Sequence, residues 1–249
     1  MDDHDDAPKT FHLGADRPNQ RIEETSIAFD GNFDTPYGSA LRHAFFQALR
    51  LDSKLPLWVR QMEGGSGRKY RYLINNLITQ LKQPRYLEIG SYMGSTLCST
   101  LYGNTVTATC IDHWKEFGGR PEFDANIARV LNDDIRLRII ESDFRKVDYR
   151  SLGTFNVYCF DGPHLEQDQY DALTITQDAL DDTYILIVDD WVMPSVRNGT
   201  MRGLEDTHSR VLASITIQTT QDSTLPTLLG SWFSDWHNGY FIAVVAKQR

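Results

Sequence analysis

Two short stretches hold the side chains best suited to chemistry. Phe160-Asp-Gly-Pro-His164 and Val188-Asp-Asp-Trp191 each end an apolar run in acids, and the first adds a histidine three residues after its acid. Asp161, Asp189 and Asp190 make an all-oxygen set suited to a hard divalent cation such as Mg²⁺, which keeps several waters and can bind an acceptor hydroxyl. A hydroxyl bound in this way loses its proton more readily and becomes a better nucleophile. His164, ordinarily titrating at about 6.5, can take that proton at neutral pH or ligate the ion as neutral imidazole. Plainer roles stay open: Asp189 or Asp190 capping the following segment, Asp161 fixing its turn, His164 capping or packing.

A third stretch suggests what would sit beside these acids. Tyr86-Leu-Glu-Ile-Gly-Ser-Tyr-Met-Gly-Ser-Thr96 runs from an apolar strand through Gly90, Ser91, Gly94 and Ser95 into a helix carrying Leu97 and Leu101. Glycines at such a turn let backbone approach a ligand closely, and the helix start offers unpaired N–H groups. A dinucleotide loop would read G-x-G-x-x-G, whereas this one reads E-x-G-x-x-x-G. Glu88 would repel a pyrophosphate but attract the ammonium of an amino-acid moiety, directly or through water. Asp112, 22 residues beyond Gly90, ends the next apolar run, where a carboxylate can accept from both hydroxyls of a ribose. An acid for a charged end, glycines for close packing and an acid for a sugar together describe S-adenosylmethionine. A Gly-x-x-x-Gly turn alone would equally serve helix packing.

These residues need a scaffold that brings strand ends together. Apolar runs at 86–89, 106–111, 137–140, 155–160 and 184–188 alternate mostly with helically periodic segments. Such alternation predicts βα units and a parallel sheet covered on both faces. Ahead of them, Leu41, Ala44, Phe45 and Ala48 predict one helix, and Tyr70 to Leu81 a second that Pro84 closes. After the fifth run the pattern predicts a helix around Gly203 to Leu212, a strand at 214–219 and a final strand at 240–246. The expected fold is α/β, Rossmann-like and doubly wound, with a mostly parallel seven-stranded sheet and an antiparallel last strand. Residues 1–35, rich in Asp, Asn, Pro and Gly, are expected to form a flexible arm ahead of a single domain at 36–249.

The strand, Glu88, glycine loop, helix and Asp112 in this register resemble class I methyltransferases, from about Gly64 to the C-terminus. The resemblance implies that Glu88, Gly90, Ser91 and Gly94 belong to the cofactor loop, with Ser95 at its helix start, and that Asp112 is the ribose acid. It also implies that Ser142-Asp143-Phe144 faces the adenine, with Asp143 able to accept from the adenine amino group or to stand as a solvated carboxylate. His113 and Trp114 lie beside the ribose acid, and Trp114 could stack on adenine or roof the core. The order Asp-Gly-x-His, helix, Asp-Asp-aromatic is similar to the metal-linked bacterial small-molecule and sugar O-methyltransferases of methyltransferase family 24. In that group, acids matching Asp161, Asp189 and Asp190 ligate the ion, although some relatives lack a metal. Relatives often place their base close to the turn holding His164, but some use an acid where this chain has Pro163, which leaves the role open. The implied catalytic pair is His164 and Asp161, with Asp161 also bordering the cofactor.

The acceptor is expected to be a small hydroxylated molecule. Arg197 and Arg202 interrupt the stretch after Asp190; Arg197 could contact an anionic acceptor or be a helix-surface charge. Trp232, Phe233, Trp236 and Tyr240 cluster before the last strand, where they could bind a flat or sugar acceptor, pack, or make a contact in a homo-oligomer. His208 and His237 stand alone and suggest no role. A net charge of −9, with cationic residues scattered, speaks against nucleic acid and anionic lipid. No apolar run approaches membrane-spanning length, and the acidic start Met-Asp-Asp-His-Asp-Asp is unlike a signal peptide, so a cytoplasmic protein is expected. Cys98, Cys110 and Cys159 lie singly in apolar segments and read as buried thiols. Other functions consistent with the chain are metal-independent methylation of nitrogen or a peptide group, NAD-dependent oxidoreduction, and ligand binding without catalysis.

Overall fold

Local chemistry sets the element boundaries. Thr35 caps the first helix by accepting from the Gly38 amide through its hydroxyl, and Pro36, which has no N–H to leave unpaired, opens it. In the computed structural model, which describes residues 25–230 and 233–248, the elements follow in order: β1 (Ser26–Gly31), α1 (Pro36–Leu49), α2 (Leu57–Arg60), α3 (Arg68–Gln80), β2 (Arg85–Ile89), α4 (Ser95–Leu101), β3 (Val106–Asp112), α5 (Arg120–Val130), β4 (Ile135–Glu141), β5 (Phe155–Phe160), α6 (Glu166–Thr174), β6 (Leu180–Val188), α7 (Pro194–Asp206), β7 (Ser209–Gln218) and β8 (Tyr240–Lys247).

One eight-stranded sheet runs β1-β7-β8-β6-β5-β2-β3-β4. Strands β2 to β6 pair in parallel, while β8 lies antiparallel between β6 and β7. All six residues of β5 are buried, as expected of a strand covered on both faces. One face carries α1 and α3 to α5, with Leu41, Phe45, Leu73, Leu97 and Phe123 in its core. The other carries α6 and α7 over Leu173, Val196, Leu204 and Tyr158. Strand order reverses between β2 and β5, and ligands of open α/β sheets collect outside the strand C-termini at such a point.

The doubly wound, mostly parallel sheet with its antiparallel last strand is as the sequence predicts, with corrections in detail. The sheet has eight strands rather than seven, because Ser26–Gly31, assigned to the loose arm, pairs antiparallel with β7. All its residues are exposed, so the ladder holds it in place and burial leaves little pattern to read. Residues 1–24 of the expected arm lie outside the described residues. The helix expected to reach Leu212 ends at Asp206, and the chain enters β7 at Ser209 after His208, whose φ is +50°. Val211, Ile215 and Ile217 are β-branched, and tertiary pairing with β8 overrides the helical spacing of the leucines. Between β4 and β5 stand two 3₁₀ turns, at Phe144–Lys146 and Tyr149–Ser151, instead of a helix. Cys98, Cys110 and Cys159 are buried free thiols. Among the described residues, no helix is long and apolar enough to cross a membrane.

Candidate active site

The loop after β2 is built on hydrogen bonds that the sequence alone could not assign. Gly90 adopts φ +87°, and an added Cβ would lie 1.8 Å from the Asp161 carbonyl oxygen. The tops of β2 and β5 therefore meet directly at the switch in strand order. The Asp112 carboxylate accepts the amides of Ser91 at 2.8 Å and Tyr92 at 2.9 Å through one oxygen, and that of Trp114 at 2.8 Å through the other. Asp112 thus pins the loop and retains acceptor capacity on a partly exposed group.

Glu88 is fully buried, its two oxygens held by the Tyr86 hydroxyl at 2.6 Å and the Ser91 hydroxyl at 2.8 Å. It acts on the cleft through its field and through Ser91 rather than by direct exposure. Burial raises its pKa from 4.5 to about 7, against the pull of the two hydroxyls and with help from Asp112. Because the folded value lies above the unfolded one, Glu88's favourable contribution is complete below about pH 4.5 and is lost as pH rises through about 7. The difference corresponds to about 3 kcal/mol. Glutamine at this position can accept from Tyr86 and donate to Ser91. Glu88→Gln is therefore expected to stabilise the protein by about 1 to 3 kcal/mol at pH 8 and by little at pH 5. Urea unfolding at both pH values checks this, and an equal effect at the two would refute it.

A groove lies between the tops of β3 and β4. It measures about 600 Å³ and is lined by His113, Glu141, Ser142 and Asp143 among others, a scale that suits a nucleoside. The Asp143 side chain accepts from the Arg145 amide at 3.0 Å and stays accessible. Phe144 and Trp114 take other positions. The Phe144 ring is buried against Phe160, with centroids 5.5 Å apart. Trp114 roofs the core: its indole N–H donates to the Tyr92 carbonyl at 2.8 Å, Phe123 packs against it, and the Arg120 guanidinium sits 4.5 Å from its ring centre.

The chemical residues gather where β5 and β6 end. His164 Nε2 lies 2.6 Å from Asp190 Oδ2, with the imidazole 40% exposed and the carboxylate 7%. One ligand atom from each of Asp161, His164 and Asp190 falls within 4.8 Å of the others. Asp189 is not in this trio: it is buried, and its carboxylate accepts the Asp190 amide at 2.7 Å. That bond supports the left-handed backbone of Asp190, at φ +57°. The hydrogen bond to Asp190 raises the His164 pKa despite burial. Burial pushes Asp190 up, but His164 and Asn238 outweigh it and leave the carboxylate below its usual range. Burial and the Asp190 charge push Asp161 well up.

Two further segments reach the site unannounced by the sequence. Asn238 donates through Nδ2 to Asp190 Oδ1, and His237 accepts the Gly230 amide at 2.7 Å. Nothing local in Trp236-His-Asn-Gly marks this role; it follows from the register Val188↔Phe241, which sets the start of β8 beside Asp190. The loop Gly64-Gly-Ser-Gly67 lies over the start of α4, with the hydroxyls of Ser66 and Ser95 2.9 Å apart. Arg197 bonds inward, whereas Arg202 sits in a surface ion pair. The first donates to the Trp191 and Val192 carbonyls at 2.8 and 2.7 Å, the second to Glu166 at 3.0 Å. Trp236 is buried and stacked on Phe45, while Trp232 of the expected aromatic cluster lies outside the described residues.

Residues 87–191, which contain the glycine loop, Asp112, Asp161, His164 and Asp190, match the model of methyltransferase family 24, described as a methyltransferase domain. The chain thus contains a segment similar to a methyltransferase domain. Its fold is shared with Rv0187 from MTB in a cofactor-bound structure: TM-score 0.51, 14% identity, 86% of this chain and 92% of that one. A Corynebacterium glutamicum protein is similar to the same degree, with TM-score 0.51, 14% identity and coverage of 85% and 91%. SMU.776 complexed with SAH matches at TM-score 0.49 and 13% identity over 71% of this chain, which spans about half, 49%, of its length. No curated protein matches the chain. At such identities the likeness concerns the fold, and the chain's chemistry rests on its own side chains.

Proposed function

We propose that the domain transfers the methyl group of S-adenosylmethionine to a hydroxyl of a small-molecule acceptor. The observation that carries this reading is the His164–Asp190 pair at 2.6 Å beside Asp161, at the switch in strand order and next to the glycine loop. When bound, the cofactor supplies an electrophilic methyl on its sulfonium, so no covalent enzyme nucleophile is needed. The chain's tasks are to hold acceptor and cofactor in line, exclude water and receive the acceptor proton. His164 Nδ1 receives it, because Nε2 is held by Asp190, which stabilises the imidazolium that forms. Ser91, Asp112, His113, Ser142 and Asp143 supply polar groups for the cofactor's ribose and adenine. The net charge of −9 favours a small molecule over a polyanionic acceptor.

Were a divalent cation bound, Asp161, His164 and Asp190 would hold it, with His164 then a ligand in place of the base. Two carboxylates and one imidazole form a mixed oxygen and nitrogen set, which suits Mn²⁺ or a similar ion better than Mg²⁺. Such an ion, when bound, would acidify the acceptor hydroxyl. The same histidine–carboxylate bond favours a second reading, transfer without metal, because His164 already has a partner to hold it as base.

The test is S-adenosylhomocysteine formation across catechols, phenols and monosaccharides, with Mn²⁺, Mg²⁺ or chelator. Turnover of hydroxyl acceptors that falls at least about tenfold on chelation and returns with Mn²⁺ is expected. Turnover indifferent to chelation would select the metal-free reading. Turnover of amine or peptide acceptors alone would refute hydroxyl transfer.

A further inference from the structure

A buried guanidinium lies beneath the Gly64–Gly67 loop without a carboxylate partner. Arg71 is 0% exposed. Its Nη1 donates to the carbonyls of Val59, Arg60 and Met62 at 2.9, 3.2 and 2.7 Å, and its Nε to Ser66 Oγ at 2.9 Å. Nη2 is buried and has no hydrogen-bond partner. Among the described residues no acid pairs with this side chain, and burial pulls its pKa down to about 10. An uncompensated buried cation with two unused N–H groups is costly, and native structures keep few such groups without a purpose.

The surroundings point to a purpose. A Cβ built on Gly64 would stand 3.9 Å from Arg71 Nη2 and 2.3 Å from Ser95 Oγ, so the free donors, the loop backbone and the start of the cofactor helix converge. Ser66 ties them together, accepting from Arg71 and bonding the Ser95 hydroxyl. Gly64 is partly exposed and Gly65 exposed, so the loop beside the guanidinium reaches the surface without side-chain bulk. Resting on the cofactor reading above, we propose that Arg71, with Ser66 and Ser95, receives the carboxylate of the cofactor's amino-acid end beneath the Gly64–Gly67 loop. A carboxylate there would neutralise the buried charge and fill both unused donors, and charge-assisted bonds of this kind are the strong ones. It would also divide recognition of the cofactor, with the adenosine held at the tops of β3 and β4 and the amino acid over α4.

The test compares two ligands that differ in the amino-acid moiety. Calorimetric titration of S-adenosylhomocysteine and of 5′-methylthioadenosine, which lacks that moiety, is run on the parent and on Arg71→Lys and Arg71→Met, with thermal melting as a check on folding. Arg71→Met is expected to weaken S-adenosylhomocysteine about 10- to 100-fold while leaving methylthioadenosine within about twofold. Arg71→Lys keeps a charge without the fork and should fall between; it carries the test alone if the methionine variant fails to fold. Decarboxylated S-adenosylmethionine should bind parent and variants alike. Equal weakening of both ligands, or no weakening of either, would overturn the assignment and leave Arg71 as a tie between loops. Failure of the parent to bind either ligand would overturn the cofactor reading itself.

Discussion

Gly90→Ala is expected to destabilise the protein by about 3 to 4 kcal/mol and to lower its melting temperature by about 10 °C. Two costs combine. The left-handed backbone at φ +87° strains any residue with a Cβ, and the methyl would stand 1.8 Å from the Asp161 carbonyl oxygen. That oxygen belongs to backbone, so relief means parting the ends of β2 and β5. The amide of Asp161, which donates to the Ile89 carbonyl at 2.8 Å, shares in the damage. Since His164 follows three residues later, residual folded protein should also lose transferase activity. Thermal and urea melts of the variant decide the matter, and a loss below about 1 kcal/mol would show that the strand tops yield more easily than a packed core does.

Asp190→Asn is expected to reduce turnover by about 10²- to 10⁴-fold while changing S-adenosylhomocysteine affinity by less than about twofold. The carboxylate has two engagements that the amide cannot both reproduce. It holds His164 at 2.6 Å and accepts from the Asn238 side chain. An amide oxygen turned towards Asn238 leaves an NH₂ facing His164, which removes the charge that would stabilise the imidazolium. His164→Ala should cost about as much, and the double variant little more than either alone, because the two act as one unit. Strictly additive losses would show that the pair does not function together.

The sheet was legible because its central strands are buried on both faces and leave unbroken apolar runs. The runs at 86–89 and 155–160 translate almost residue for residue into β2 and β5. Strand β1 was not legible, since backbone pairing to β7 specifies it and, apart from Phe29 against Phe45, its side chains leave no buried pattern. The glycine loop could be placed from Glu88, Gly90, Gly94 and Asp112, whose spacing is fixed by a strand, a turn and a helix. Which acids point inward could not. Asp189 and Asp190 are neighbours, yet a backbone reversal sends one carboxylate to an amide and the other to His164. Asn238 and Arg71 were invisible for a different reason: one depends on the insertion of β8 between β6 and β7, the other on an absence of partners that only packing reveals.

The position of β8 has a consequence for synthesis. The turn before it supplies the side chain that holds Asp190, 48 residues earlier in the chain, and β7 reaches the rest of the sheet only through β8. A nascent chain leaving the ribosome can complete β2 to β5 and the cofactor loop well before β8 emerges. Until then the β6 edge is open and Asp190 lacks the Asn238 side chain that holds it. The loop after β2 can thus take its shape while the His164–Asp190 pair still waits for the last strand to insert.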